Sequence, residues 1–307
     1  MKKKILIIGC GNIGFNHFKA LKRFGSKILI YLYDKKINKK KFPINKNIII
    51  LNGLKQSLTF DLVIISTNSN ERFSVFKYLV KYNNVKKIIF EKFVYFKNYQ
   101  FIKTIKILKQ KKIKAWVNCL RRELEIFKKI KNKIGNNFKI LYNGSDWGMG
   151  CNSIHFLDLF AYLSKTKNIK KYYYNLDKKF YSSKRKGYIE FKGILKFEID
   201  NSSLVLEDSL KFKKKIFQII SNTKIYSFNK NEDIVIEKNM KNNSIKKYKC
   251  EKPYVSNITY KTVKKLINNK TTELTGFKES IHYHQILINI FSKQSRLINS
   301  NKNFMIT

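Results

Sequence analysis

Residues 3–22 read KKILIIGCGNIGFNHFKALK, and this stretch decides the fold. Ile5 to Ile8 form an unbroken β-branched and leucine run, the pattern of a strand buried on both faces. Gly9-Cys10-Gly11-Asn12-Ile13-Gly14 follows at once as a G-x-G-x-x-G set, and a helical pattern begins behind it. Gly9 suits a tight turn, Gly11 lets the backbone approach a pyrophosphate with no Cβ in the way, and Gly14 lets the helix pack closely on its strand. The helix N-terminus beyond them offers N–H groups and a partial positive charge to phosphate. The expectation is a dinucleotide site at Gly9, Gly11, Asn12, Ile13 and Gly14.

The segments beyond the turn support it. Ile28 to Tyr33 reads as a second strand ending in Asp34, about twenty residues past the glycines, where a carboxylate can take the ribose hydroxyls of NAD. Asp34 would oppose a 2′-phosphate, so NAD is expected, with NADP the alternative that Lys35 and Lys36 keep open. Asp61 to Ser66 reads as a further strand running into the polar loop Thr67-Asn68-Ser69-Asn70, and in open α/β sheets ligands sit at such carboxyl ends. Ser66, Thr67, Asn68 and Arg72 therefore join the cofactor candidates. Phe73 to Tyr82 has helical spacing, and Ile88 to Phe90 reads as another strand. Strand and helix alternate, which predicts a doubly wound parallel sheet, a Rossmann domain.

A Lys-rich helical pattern spans Phe101 to Lys114, with Ile102, Ile105 and Leu108 on one stripe, and Ala115, Trp116 and Val117 follow. The domain boundary is expected there, giving 1–116 as the dinucleotide-binding domain and 117–307 as an α+β domain for substrate and dimerisation. In the second half, 138-FKILYNG, 188-YIEFKGILKFEI, 203-SLVLEDSLKF and 215-KIFQIISN alternate apolar and polar residues like strands of a mostly antiparallel open sheet with one wet face. Tyr254 to Asn268 and Lys278 to Ser292 return to helical spacing, and a last helix at about 277–293 is expected to pack back toward the core.

The 307 residues include 65 Lys+Arg against 20 Asp+Glu, a formal net charge of +45. Such a balance suits an anionic ligand and invites a nucleic-acid reading. The lysines, however, are spread along the chain among Asn, Ile and Tyr, as a composition favoured by AT-rich coding would spread them, and form no basic tail. Neither nucleic acid nor membrane is an expected partner. The apolar run at the start stops at Gly9, short of a signal-peptide core or a membrane span. Cys10, Cys119, Cys151 and Cys250 are far apart with no C-x-x-C pair, so no metal site or disulfide framework is legible, and a reducing cytoplasm fits.

Across most of its length the chain resembles the Gfo/Idh/MocA family of sugar and polyol oxidoreductases. His17 follows the glycine turn as is common there; 61-DLVIISTNSNER is similar to the family's loop along the cofactor, 88-IIFEKF to its E-K-P signature, and 116-WVNCLRR to the entry into the second domain. Likewise 150-GCNSIHFLDLF resembles its G-x-x-x-D-x-G-x-H-x-x-D-L helix, and 273-ELTGFKESIHYHQIL its final helix. The resemblance implies hydride transfer between a nicotinamide and a secondary alcohol or ketone, with Lys92 hydrogen-bonding the reacting oxygen and His155 as acid/base. It implies Glu91 and Lys92 beside the cofactor, and Asn118, Arg121, Arg122, Asn152 and His155 toward the substrate, with Tyr142 and Trp147 as further lining candidates. Asp158 is expected to hold its helix against the cofactor domain.

An Arg pair suits a carboxylate or phosphate. Together with the helix it resembles members of a surface-glycan branch, which implies a nucleotide-linked or acidic sugar, and the resemblance implies a homodimer or homotetramer. The chain departs from the pattern in three places. Cys151 stands where the family has an Asp one turn before the His, Phe93 replaces a proline, and Ser153 a glycine. Cys151 opens the alternative of a catalytically silent NAD(P)-binding sensor that keeps the fold.

Overall fold

The computed structural model describes residues 1–298 except Ile44, Lys167 and Lys186. Met1–Leu120 and Tyr254–Ile281 form one compact unit; Arg121–Pro253 and the chain from His282 onward form a second.

The first unit is built on a seven-stranded sheet. Its order is Thr275–Gly276, Lys114–Val117, Lys87–Phe90, Leu62–Ile65, Lys3–Ile8, Ile28–Tyr33 and Ile48–Ile50. Every pairing is parallel except that of Thr275–Gly276 with Lys114–Val117. Ile5, Leu6 and Ile7 are fully buried, as are Leu62 to Ile65, as apolar runs without alternation require of a sheet covered on both faces. Lys3–Ile8 lies between Leu62–Ile65 and Ile28–Tyr33, so the chain leaves it in both directions along the sheet, and its carboxyl end is the switch point where ligands bind in such folds. The architecture is the expected Rossmann sheet.

For the first unit the sequence reading differs from the structure in three ways. The helix Asn98–Gln110 buries Phe101, Thr104 and Leu108, whereas Ile102, expected on the stripe, is exposed. The strand Ile48–Ile50 was not singled out, because three isoleucines among lysines and asparagines carry no periodicity. The segment 254–281, assigned to the second domain, lies with the first unit. Its helix Val255–Ile267 packs on the glycine-turn helix Asn12–Lys22, with Val263, Leu266 and Leu274 in the same core as Ile5, Ile7 and Phe18, and Tyr260 meets Phe24 at 4.7 Å between ring centroids. A returning segment has ordinary helical spacing, and the spacing does not say which core it completes.

The second unit carries an eight-stranded sheet in the order Lys171–Leu176, Gly193–Ile199, Ser202–Asp208, Phe138–Gly144, Ile216–Ser221, Lys224–Phe228, Ile234–Asn239 and Ile245–Lys249. It is antiparallel except where Ser202–Asp208 runs parallel to Phe138–Gly144. Alternation holds: Ile140, Leu204, Leu206, Phe217 and Ile219 are buried on one face, while Leu141, Val205 and Gln218 on the other are only partly covered. The helix Met149–Leu163 packs on Ser202–Asp208. The stretch 188–199, read as continuous, breaks at Gly193, whose φ is +125° and whose Cβ would fall 2.2 Å from Asn175 O. Ahead of that break, Ile189–Glu190 pairs with Tyr181–Ser182 as a separate ribbon. The last helix runs Phe277–Ile298, longer than expected.

Candidate functional site

In the first unit the glycine turn leaves the central strand at its carboxyl end. Gly9 has φ +91°, and a Cβ there would lie 2.6 Å from Thr67 N. Gly14 is tighter still, because a Cβ would stand 1.8 Å from Gly9 O. Neither position accepts a side chain, one because the turn crosses Ser66–Thr67 and the other because the helix abuts the turn. Gly11 differs: a Cβ would meet nothing within 4 Å, so its bareness serves nothing inside the protein. The helix Asn12–Lys22 starts there with no side-chain cap and no acidic residue in its first turn. Asn12 is exposed and Ile13 half-buried. Thr67 Oγ1 is buried and, among the described residues, has no hydrogen-bond partner. An open cradle at Gly11, an uncapped positive helix end and an orphan hydroxyl together fit the pyrophosphate of a dinucleotide.

The rest of the turn is held by protein groups. Ser66 Oγ donates to Gly9 O at 2.7 Å and Ile8 O at 3.1 Å, so this cofactor candidate also braces the turn. Asp34 accepts from Cys10 N–H at 2.7 Å and, through its other oxygen, from Lys36 N–H at 2.8 Å, which fixes the carboxylate at the end of the second strand beside the turn. Burial, then the Asp34 charge, pushes the Cys10 thiol up to about 12, so it stays neutral.

Behind the loop lies a buried polar network. Glu91 accepts from His17 Nε2 at 2.9 Å and from Asn118 Nδ2, and His17 Nδ1 meets Thr259 Oγ1 at 2.8 Å. Burial alone would raise the Glu91 carboxyl; the His17 hydrogen bond and charge, then Asn118 and Arg72, outweigh it and hold the group below the usual range. Arg72 is buried, and its guanidinium donates to Glu91 O at 2.7 Å, Val94 O at 3.2 Å, Phe93 O and Thr67 O. It ties the 91–94 loop to the 67 loop. Lys92, half-buried, sits on the loop so held, and the Lys92–Phe93 peptide is cis. Asn68 is exposed at the start of the helix Ser69–Tyr82.

In the second unit, His155 lies half-buried in the helix Met149–Leu163, one turn after Cys151. Asn152 Nδ2 donates to Trp147 O at 2.7 Å. Its amide and the Cys151 thiol both lie within 3.3 Å of the point a Gly148 Cβ would occupy. The Arg pair, expected toward the substrate, is engaged by carboxylates of the chain itself. Arg121 forms a bidentate pair with Glu232 and lies 4.5 Å from the Phe156 ring; Arg122 Nε donates to Asp158 Oδ2 at 2.8 Å. All but Glu232 are buried. Burial opposes the Arg121 charge, and Glu232 more than offsets it. Asp158 thus holds Arg122, a residue of its own unit, and a buried carboxylate needs such a cation nearby. Tyr142 and Trp147 belong to an aromatic cluster with Phe156, centroids 4.1 to 5.8 Å apart, and serve packing. Among the described residues no group of three or more His, Cys, Asp or Glu side chains is placed to hold a metal ion, and no helix is long and apolar enough to cross a membrane.

These features define a Rossmann unit joined to an α+β unit with an open sheet. Solved structures share that fold over nearly the whole chain. An oxidoreductase from Agrobacterium radiobacter in complex with NAD+, L-tartaric acid and magnesium superposes with a TM-score of 0.73 at 12% identity, covering 96% of this chain and 96% of that one. UDP-N-acetylglucosamine 3-dehydrogenase GnnA from Acidithiobacillus ferrooxidans gives 0.70 at 10% identity, covering 97% and 99%. A super-repressor mutant of Gal80p from Saccharomyces cerevisiae gives 0.75 at 13%, covering 99% and 100%. No family model matches the sequence, and no curated protein does.

Proposed function

We propose that this chain is an NAD-dependent oxidoreductase acting on a secondary alcohol or ketone of a sugar, polyol or nucleotide-linked sugar. The observation that carries the reading is the glycine turn: Gly9 and Gly14 are required by the fold, whereas Gly11 faces open space at an uncapped helix end. The fold shared with a UDP-N-acetylglucosamine 3-dehydrogenase and with an oxidoreductase solved with NAD+ supports it. Asp34 at the end of the second strand favours NAD over NADP, since a 2′-phosphate would meet its carboxylate.

When bound, the nicotinamide supplies the hydride acceptor. Gly11 and the N–H groups of Asn12 and Ile13 would hold the pyrophosphate and Thr67 Oγ1 would bond the cofactor, while Arg72 and Glu91 keep the loop bearing Lys92 in place. Lys92 donates to the reacting oxygen. His155 takes the hydroxyl proton or returns it. Removing either function affects chemistry more than binding, so Lys92→Met and His155→Ala should each lower kcat by about 100-fold or more while NAD affinity stays unchanged. Unchanged turnover in both variants would contradict the assignment.

With Arg121 and Arg122 bound to carboxylates of the chain itself, an acidic substrate has no support from them, and the nucleotide-linked sugar rests on the neighbour alone. The half-covered sheet face bearing Leu141, Val205 and Ile194 suits a homodimer or homotetramer, which sedimentation velocity reads directly. A second reading, a catalytically silent NAD-binding regulator, is favoured by Cys151 and by the fold shared with Gal80p, and it predicts tight NAD binding with no hydride transfer.

A further inference from the structure

The helix that carries His155 lacks the carboxylate of the resembled pattern at position 151, yet a carboxylate stands against the same turn from another part of the chain. Glu190, buried at 9% exposure, comes from the short strand Ile189–Glu190, which packs on the helix Met149–Leu163. Its Oε1 lies 3.1 Å from the point that a Cβ on Gly148 would occupy. Cys151 Sγ lies 3.2 Å and Asn152 Nδ2 3.3 Å from that same point.

Gly148, at φ +76°, is therefore the opening that admits Glu190 to the helix's first turn. Cys151 and His155 are one turn apart on the helix Met149–Leu163, so the carboxylate that meets the Cys151 thiol at this point stands on the N-terminal side of His155. The surroundings keep it there. Trp147 Nε1 donates to Glu207 O at 2.9 Å and Asp146 N–H to Asp208 Oδ1 at 2.9 Å, which anchors the loop before the helix. Lys192, two residues beyond Glu190 and buried, pairs with Asp146 at 2.7 Å. A negative charge is also favoured at a helix N-terminus.

We propose that Glu190 is a positioning residue for His155, supplying from a neighbouring strand the carboxylate that the resembled helix carries at position 151. It fixes the first turn of the helix and favours the imidazolium that forms when His155 takes the alcohol proton. The inference rests on the oxidoreductase reading of His155.

The test uses the full chain and two readouts. Alkylation of Cys151 by iodoacetamide, followed by peptide mass spectrometry, reports on whether a carboxylate faces the thiol, because a neighbouring negative charge suppresses thiolate. Glu190→Gln should speed it by about threefold or more, and Glu190→Asp, which keeps the charge, should fall between that variant and wild type. In turnover, Glu190→Gln should lower kcat by about tenfold with NAD affinity unchanged, and adding Cys151→Asp should restore most of the loss. A purely structural Glu190 would not be rescued by a carboxylate at 151. An unchanged alkylation rate, an unchanged kcat, or a loss that Cys151→Asp fails to recover would overturn the proposal. Absence of hydride transfer in the wild type counts instead against the oxidoreductase reading, since the alkylation arm reads Glu190 without a substrate.

Discussion

Two glycines of one motif can be separated by a single methyl group. Gly11 has φ −69° and open space before it, so Gly11→Ala should fold with an unchanged Tm and bind NAD at least about tenfold more weakly by titration calorimetry. Gly14→Ala must displace Gly9 O and should lose about 3 kcal/mol of stability in urea unfolding. Equal effects of the two substitutions on stability would mean that Gly11 is structural and the cradle is not a ligand site. Glu91 gives a prediction in pH. Its folded carboxyl titrates below its ordinary value, so it contributes stability above the unfolded pKa of about 4.3 and loses that contribution as pH falls through the folded value. The Tm gap between wild type and Glu91→Gln should be full at pH 7 and close below about pH 4. A gap independent of pH would mean that the His17–Glu91–Asn118 network does not stabilise the ionised carboxylate.

At the scale of elements, the helix Met149–Leu163 is apolar almost all round, and Asp158 is an ionisable group deep within it. Removing one partner of a buried pair leaves the other charge uncompensated. Asp158→Ala should cost about 3–5 kcal/mol in chemical unfolding, far more than an exposed pair would. Replacing both Arg122 and Asp158 by apolar residues of similar size should recover much of that loss. A cost near that of a surface pair, about 1 kcal/mol or less, would show that Arg122 finds another partner. The aspartate was visible in the sequence, but its partner was not, because helical spacing tells which side chains share a face and says nothing of a cation thirty-six residues away.

For the whole molecule, legibility followed how local each signal was. The strands Lys3–Ile8, Ile28–Tyr33 and Leu62–Ile65 were readable because a doubly covered sheet demands continuous apolar runs, and the turn was readable because its three glycines have a fixed spacing, two of them answering steric demands of the fold and the third facing open space. The open sheet showed through alternation at Phe138–Gly144 and Ser202–Asp208. What could not be read was assembly over long sequence distances. The return of Val255–Ile267 to the first core, the Arg121–Glu232 pair and the Glu190 carboxylate beside Cys151 each depend on residues far apart in the chain. The Arg pair looked like a substrate clamp because an Arg-Arg dipeptide carries no sign of the carboxylates that bury it.

The central claim is nicotinamide-dependent hydride transfer, and absorbance at the reduced-nicotinamide band tests it most directly. Purified protein with NAD would be followed against sugars, polyols and nucleotide-linked sugars, and with NADH against the corresponding ketones, beside Lys92→Met. Substrate-dependent formation or loss of NADH is expected in the wild type and is abolished in Lys92→Met, although NAD still binds. Tight NAD binding without any hydride transfer across the panel, in wild type and variant alike, would contradict it and favour the regulator.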